Sequence, residues 1–251
     1  MSDLNGTFPK SYTWPIRVTS FDADSRRRLK LSAILRYQQE AGELQLRSGG
    51  LPYERLYDDG IIFVTSRSRV RIKRWPLMAE ELNLTTWHRE NRGVQFYRSY
   101  QFADGSGQNV IEATTCFVII DPVTHRLQRP KVFDRYGITI QPTRVPDVKD
   151  PEKIIVPTDL PHVDSRVIRY SDVDYNGHLN NTIYADLLGD YLPGGMEHQT
   201  ISEFSINFTG EALEGEALDI RAGMAGDRAV VTGVGHKGPC FEAEALFVQD
   251  Q

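Results

Sequence analysis

The chain has 251 residues, 40% hydrophobic and 25% charged, with a net charge of −5, enough apolar material for a sizeable core in one large domain or two small ones. The acidic balance argues against a general nucleic-acid binder, though not against a local basic patch, and no apolar run approaches the roughly 20 residues of a membrane-spanning helix. Two cysteines, Cys116 and Cys240, make neither a disulfide framework nor a metal-ligand cluster. No metal or other cofactor is expected.

In chain order, Met1–Lys10 is polar, lacks the apolar core of a signal peptide and is too short and too acidic at Asp3 for a plastid transit peptide, so a cytoplasmic location is expected. A helix is predicted from about Ser32, a plausible N-cap, through Ile34, Leu35, Ala41 and Leu44. Arg69–Trp75 reads as a strand, followed by Met78–Leu82 leading into another strand at Leu84, and Val110–Ala113 opens a terminal strand. Six prolines then fall between Pro130 and Pro161. Proline lacks the backbone donor that ladders and helices need, so 130–161 reads as an extended connector. Phe133, Tyr136, Ile138 and Ile140 give it apolar groups with which to dock on a sheet.

The second half repeats the first. Phe21-Asp22-Ala23-Asp24 followed by Leu29 resembles Ser171-Asp172-Val173-Asp174 followed by Leu179, 150 residues on. A second helix is expected through Ile183, Tyr184, Leu187, Leu188 and Tyr191, capped by Asn180 or Asn181 and stopped by Pro193-Gly194-Gly195. Ser202–Phe208 reads as a strand, Glu214–Leu218 leads into a strand at Ile220, and Cys240–Ala243 opens a terminal strand. The reading is α+β: a tandem, or double, hotdog, each unit a long helix wrapped by a curved antiparallel sheet that covers the helix's apolar stripe. The expected domains are 1–129, the connector 130–161, and 162–251.

The strongest local signal is Asp174-Tyr175-Asn176-Gly177-His178-Leu179-Asn180-Asn181. In an extended segment Asp174, Asn176 and His178 point to one side. The helix that follows starts with N–H groups lacking internal partners, able to hold an oxyanion. Asp, Asn and Gly also serve as plain turn and cap residues, so both roles stay open. Glu211 lies 33 residues after His178 and is read as ending the strand that brings Phe208. An apolar setting there would raise its basicity, and an exposed acid beside the Glu214-Gly215 turn is the other reading.

Asp174-x-Asn176-x-His178-x-Asn180-Asn181-x-x-Tyr184 with Glu211 downstream resembles the C-terminal active-site region of the acyl-ACP thioesterases, fatty-acid chain terminators of plants and bacteria. Thr86-Trp87, Ala113-Thr114 and Thr124-His125-Arg126-Leu127-Gln128-Arg129-Pro130 resemble that family's first half, and the similarity runs from about Trp14 to Phe247. The resemblance implies fatty-acid biosynthesis and a thioester hydrolase whose catalytic set is Asp174, Asn176, His178 and Glu211, acting on fatty acyl chains borne by acyl carrier protein. It also implies that the first unit supplies the acyl-chain pocket. Many plant members carry cysteine directly after the glutamate. Here that residue is Ala212, so a cysteine nucleophile at that position is excluded.

The implied reaction is direct hydrolysis: Glu211 positions and deprotonates water, Asn176 holds water or carbonyl, and Asp174 and His178 orient and tune their neighbours. In the first copy Arg26 and Arg28 stand where the second has Asn176 and His178, and Trp75 where it has Glu211. Arginine cannot act as a base, so that copy is expected to be inactive. Arg67, Arg69, Arg71 and Lys73 alternate on one strand face, and Arg26, Arg27, Arg28 and Lys30 cluster. Either group could steer an acidic carrier, or simply keep an edge strand soluble. Three other readings are an acyl-CoA thioesterase, a non-catalytic acyl-thioester binder and a dehydratase. Monomer and homodimer are both open, since two fused units already form an internal pair.

Overall fold

The computed structural model describes residues 8–248; the N-terminal reading above falls mostly outside that span. The first half runs β1 (Tyr12–Arg17), α1 (Leu31–Ser48), α2 (Tyr53–Asp58), β2 (Ile62–Ile72), β3 (Glu81–Arg92), β4 (Gln95–Ala103), β5 (Asn109–Ile120) and the two-residue β6 (Leu127–Gln128). The second runs β7 (His162–Val167), α3 (Ile183–Asp190), β8 (Ile201–Phe208), β9 (Ala217–Ala225), β10 (Arg228–Gly235) and β11 (Gly238–Phe247).

The sheet order is β1-β3-β4-β5-β2-β8-β11-β10-β9-β7, with β6 on β5. Read outward from the β2–β8 seam, the two halves list the same strands in the same sequence. The seam is antiparallel, Arg67 opposite Asn207 and Arg71 opposite Glu203. Each half is the expected hotdog, and the two share one sheet.

Alternation along β2 and β8 sets the two faces. Val70, Ile72, Phe204 and Ile206 point into the main core, where they meet α1 residues Leu31, Ile34 and Ala41 and α3 residues Tyr184, Leu187 and Leu188. Full burial of each Val, Leu, Ile or Phe side chain among them contributes about 1.5–3 kcal/mol of transfer free energy. The two helices differ in length. α1 has 18 residues, whereas α3 stops after 8, ahead of Pro193 and two glycines of positive φ, Gly194 and Gly195. Ser32 is not the cap expected for α1: Lys30 holds that position without a side-chain bond, and Ser32 is fully buried in the first turn. For α3 the N-cap position is held by Thr182, not by Asn180 or Asn181, and has no side-chain cap bond; Asn180 Oδ1 accepts from the Thr182 N–H and hydroxyl at 2.9 Å each, just ahead of the helix.

The connector starts on the helix side, where Phe133 meets the cavity-lining Phe63 and Phe96, and then crosses the opposite face of the sheet. Phe133 and Tyr136 pack with Phe63 and Phe96 in a second core cluster, and Val148, Ile154 and Leu160 are buried further along. Ile140, expected to dock, is 46% exposed. Trp87 Nε1 donates to the Arg144 carbonyl at 2.9 Å, and the Arg144 guanidinium lies 4.0 Å from the Trp87 ring centroid. Asp150 clamps Arg89 and Arg92, while Asp147 pairs with Arg71 and Lys73.

These pairs correct the reading of the alternating cations. β2 is the central strand, not an edge. Arg69 and Arg71 both bind buried Glu203, and Lys73 binds Glu112 and Asp147. Three of the four charges are paired with carboxylates of the protein itself. In the other cluster Arg28 is buried against Asp24, leaving Arg26 and Arg27 exposed.

Candidate active site

The segment 173–179 is not extended. It is a tight hairpin: Asp174 N–H donates to the His178 carbonyl at 2.9 Å, Gly177 N–H returns to the Asp174 carbonyl at 2.9 Å, and Val173 bridges Leu179. Asp174 Oδ1 accepts the Asn176 N–H at 2.8 Å, an Asx turn that local Asp chemistry favours over a strand. Gly177 sits at φ 79°, which glycine adopts without strain. Asp174, Asn176 and His178 therefore meet through a turn rather than by strand alternation.

Glu211 is brought to this turn by backbone pairing. After β8 ends at Phe208, His178 bridges Leu213 and Leu179 N–H donates to the Ala212 carbonyl at 2.8 Å. His178 Nε2 then lies 3.5 Å from Glu211 Oε2. Ala212 is fully buried beneath them, and the Cys240 thiol, also buried, points at the Glu211 carbonyl. The expected apolar setting for Glu211 is not found: its side chain is 68% exposed and that of His178 36%. The strand stops three residues before Glu211, which places the carboxylate on a rim. The helix start also differs from expectation. The N–H groups of Thr182, Ile183 and Ala185 are engaged by Asn180 and Thr182, while the turn itself offers a carbonyl-polarising donor in the Asn176 side-chain amide. That amide is only loosely held, 3.5 Å from Asp174 Oδ2.

Beside the turn lies a cavity of about 210 Å³. Asp174, Tyr175, Asn176, Asn181, Thr182 and Phe208 form its second-half wall; His178 and Glu211 stand outside it. The remainder comes from the first half. Leu46, Leu51, Leu56, Ile61, Phe63, Phe96 and Phe117 make an apolar lining, with a buried polar set of Gln38, Ser68, His88, Arg98 and Thr115. Arg98 donates to Gln45 Oε1 and Thr86 Oγ1 and contacts His88 Nε2 at 2.6 Å. Burial, then the Arg98 charge, hold the His88 pKa well below its usual value, so the imidazole is neutral. At the surface Tyr175 meets Tyr53 edge-on at 5.8 Å. None of these first-half residues was singled out from sequence. The available signal was polar Gln38 and Gln45 on the core-facing side of α1, where packing alone would place aliphatics.

The first-half turn has the same scaffold. Asp24 N–H donates to the Arg28 carbonyl, Asp24 Oδ1 accepts the Arg26 N–H, Arg28 bridges Leu77, and Leu29 N–H donates to the Pro76 carbonyl. Trp75 thus occupies the place of Glu211, and the Arg28 guanidinium sits 4.6 Å from its ring centroid.

Two helix-and-sheet units joined edge to edge around a shared cavity define a fused hotdog pair. A family model described as the acyl-ACP thioesterase N-terminal domain matches residues 9–134, and one described as the C-terminal domain matches 160–236. The chain belongs to the acyl-ACP thioesterase family. It is 21% identical over 223 residues to a chloroplastic palmitoyl-acyl carrier protein thioesterase of Arabidopsis thaliana, covering 83% of this chain and 54% of that protein. A Cuphea hookeriana protein of the same name is also 21% identical, over 82% of this chain and 53% of its own length. The chain spans about half the length of the curated relatives it matches. Among solved structures it resembles an acyl-ACP thioesterase of Bacteroides thetaiotaomicron, with a TM-score of 0.85, 19% identity, and coverage of 95% of this chain and 98% of that one. It also resembles the 12:0-ACP thioesterase of Umbellularia californica, with a TM-score of 0.82, 16% identity, and coverage of 98% and 100%. Among the described residues no helix is long and apolar enough to cross a membrane, and no group of three or more His, Cys, Asp or Glu could hold a metal ion.

Proposed function

We propose that this protein hydrolyses fatty acyl thioesters carried by acyl carrier protein, with the acyl chain in the first-half cavity and the thioester at the Asp174–His178 turn. Family membership supports the substrate class. The observation that carries the site is the His178–Glu211 pair, 3.5 Å apart, on the rim of a turn whose Asp174 and Asn176 line that cavity.

Each residue has a role that its position allows. His178 Nε2–H holds one oxygen of Glu211, leaving the other to accept a proton from water. The water oxygen adds to the thioester carbonyl carbon, and charge moves onto the carbonyl oxygen. The Asn176 amide donates to that oxygen, and Asp174 fixes the turn through the Asn176 N–H. Collapse breaks the C–S bond and expels a thiolate, which takes the proton held by Glu211. A thiol of pKa about 8.5 leaves readily, so no strong acid is needed. Exposure of Glu211 in the free protein fits a rim that the docked carrier covers.

The test is release of free thiol from acyl-ACP of graded chain length, with matched acyl-CoA as control, for the parent and for Glu211→Ala, His178→Ala and Asn176→Ala. Near-parental rates in all three folded variants would remove the site. Equal or faster turnover of acyl-CoA would replace the carrier reading with a CoA one, and binding without turnover would make the protein a non-catalytic acyl-thioester binder.

A further inference from the structure

The two ends of the β2–β8 seam carry equivalent positions with opposite charge balance. At one end Arg69, Arg71 and Lys73 meet Glu203, Glu112 and the connector's Asp147, so the end is filled and paired. At the other end the seam stops at Arg67 opposite Asn207, and the connector delivers a cation, Lys153, in place of an acid. A groove opens there, lined by Arg67, Lys153 and Lys237 with Asn207 and one carboxylate, Glu242. None of the three cations forms an ion pair among the described residues. Asn207 is only 3% exposed, and its Oδ1 has no hydrogen-bond partner, although its Nδ2 donates to Glu242 at 3.3 Å. A buried acceptor left unpaired costs about 1–3 kcal/mol unless a donor arrives.

The groove adjoins the cavity on the other side of the sheet, with Phe208 as the wall common to both. β2 begins at Ile62 but pairs with β8 only from Arg67 onward. Where the strands part, Thr65 lines the cavity, Ser66 lines the groove and Phe208 lines both. The cavity's surface end near Tyr53 and Tyr175 instead presents Glu43 and Asp174, which add to burial in holding both phenol pKa values up, with Arg47 as the exposed cation. An anionic group is better received by the groove.

We propose that this groove holds the phosphate of the carrier's phosphopantetheine arm. Arg67, Lys153 and Lys237 supply the charge, and Asn207 Oδ1 accepts an amide N–H of the arm, which passes Phe208 at the strand parting to reach the Asn176–Glu211 turn. This rests on the carrier-thioester reading above, and its test separates the two. Parent, Arg67→Glu/Lys153→Glu and Lys153→Glu/Lys237→Glu are compared on acyl-ACP and on acyl-N-acetylcysteamine, which has no phosphate. The expected result is a fall of about tenfold or more in kcat/KM for acyl-ACP relative to the small thioester, carried mainly by KM and lessened by salt. Arg67→Lys/Lys153→Arg should restore it. Lys153→Glu/Lys237→Glu alters only exposed lysines, which guards against misfolding. Binding of holo- and apo-carrier protein is measured separately: the parent prefers the holo form, and the charge-reversed variants lose that preference. An unchanged ratio together with an unchanged holo preference overturns the groove. If the parent hydrolyses neither substrate but keeps a holo preference that the variants lose, the activity fails and the groove stands. Equal loss of holo and apo binding would assign the cations to the carrier's acidic surface and overturn the phosphate role.

Discussion

The turns at 24–28 and 174–178 have the same backbone and opposite uses. Both start with an aspartate that caps its own loop, both return to it through a carbonyl four residues on, and both lean on a bridge to a leucine, Leu77 or Leu213. In the second turn the side chains placed face to face are an imidazole and a carboxylate; in the first they are a guanidinium and an indole. Trp75 packs against the core and donates to the Ile201 carbonyl at 3.0 Å, whereas Glu211 stands mostly in solvent. One scaffold position therefore serves packing in one copy and is free for chemistry in the other. The copy that lost the reactive pair is the one that supplies most of the cavity.

Replacing the second pair gives the largest expected effect. Glu211→Ala and His178→Ala should each lower kcat/KM for acyl-ACP by about a hundredfold or more, with stability changed by less than about 0.5 kcal/mol because both groups lie at the surface. Thiol-release kinetics with urea unfolding checks both halves of that statement. Trp75→Ala should reverse the pattern, costing about 2 kcal/mol of stability for a half-buried aromatic while turnover persists below the unfolding transition. Matched stability losses at Glu211 and Trp75 would break the comparison.

The first copy keeps a titratable group of its own in the cavity wall. A free imidazole titrates near pH 6.5, and His88 is held well below that. Below pH 6.5 the unfolded chain takes up a proton that the folded protein refuses. Stability is thus fully present above pH 6.5 and falls by about 1.4 kcal/mol per pH unit beneath it, until His88 itself protonates. Urea midpoints at pH 7.5, 6 and 5 should show a slope one proton steeper in the parent than in His88→Gln. The smallest effect concerns backbone alone. Gly177 and Arg27 share a left-handed conformation, φ 79° and 61°. Gly177→Ala should cost about 1 kcal/mol, and Arg27→Gly much less, since glycine meets that φ without strain. Equal costs by thermal unfolding would show that the two turns are not equivalent.

The duplication was legible because it is written in local chemistry: Asp24 and Asp174 each need the same neighbours to close an Asx hairpin, so the spacing to Leu29 and Leu179 is kept. The partnership of Glu211 with its turn came from the family resemblance, since on local residues alone an exposed acid was as good a reading, and Trp75 followed from aligning the two copies. What depended on pairing between the copies was not. Arg69 and Arg71 read as a free basic stripe because Glu203, their partner, is more than a hundred residues away and meets them only across the seam. Nor could local spacing place Glu211 on a rim, since that is fixed by where β8 releases β11 after Phe208. The polar wall of the cavity was hidden in the same way, assembled from α1, β2, β3, β4 and β5.

The β2–β8 seam has a consequence for how this molecule tolerates change. In a pair of identical subunits every substitution is made twice, once on each side of the axis, and must suit both places. Here the connector tethers the halves, so their meeting is a first-order event at high effective concentration and does not depend on how dilute the protein is. Freed from self-complementarity, one side can carry Arg71 against Glu203 while its mirror position carries Arg67 against Asn207. Covalent joining thus turns a symmetric contact into two independent addresses.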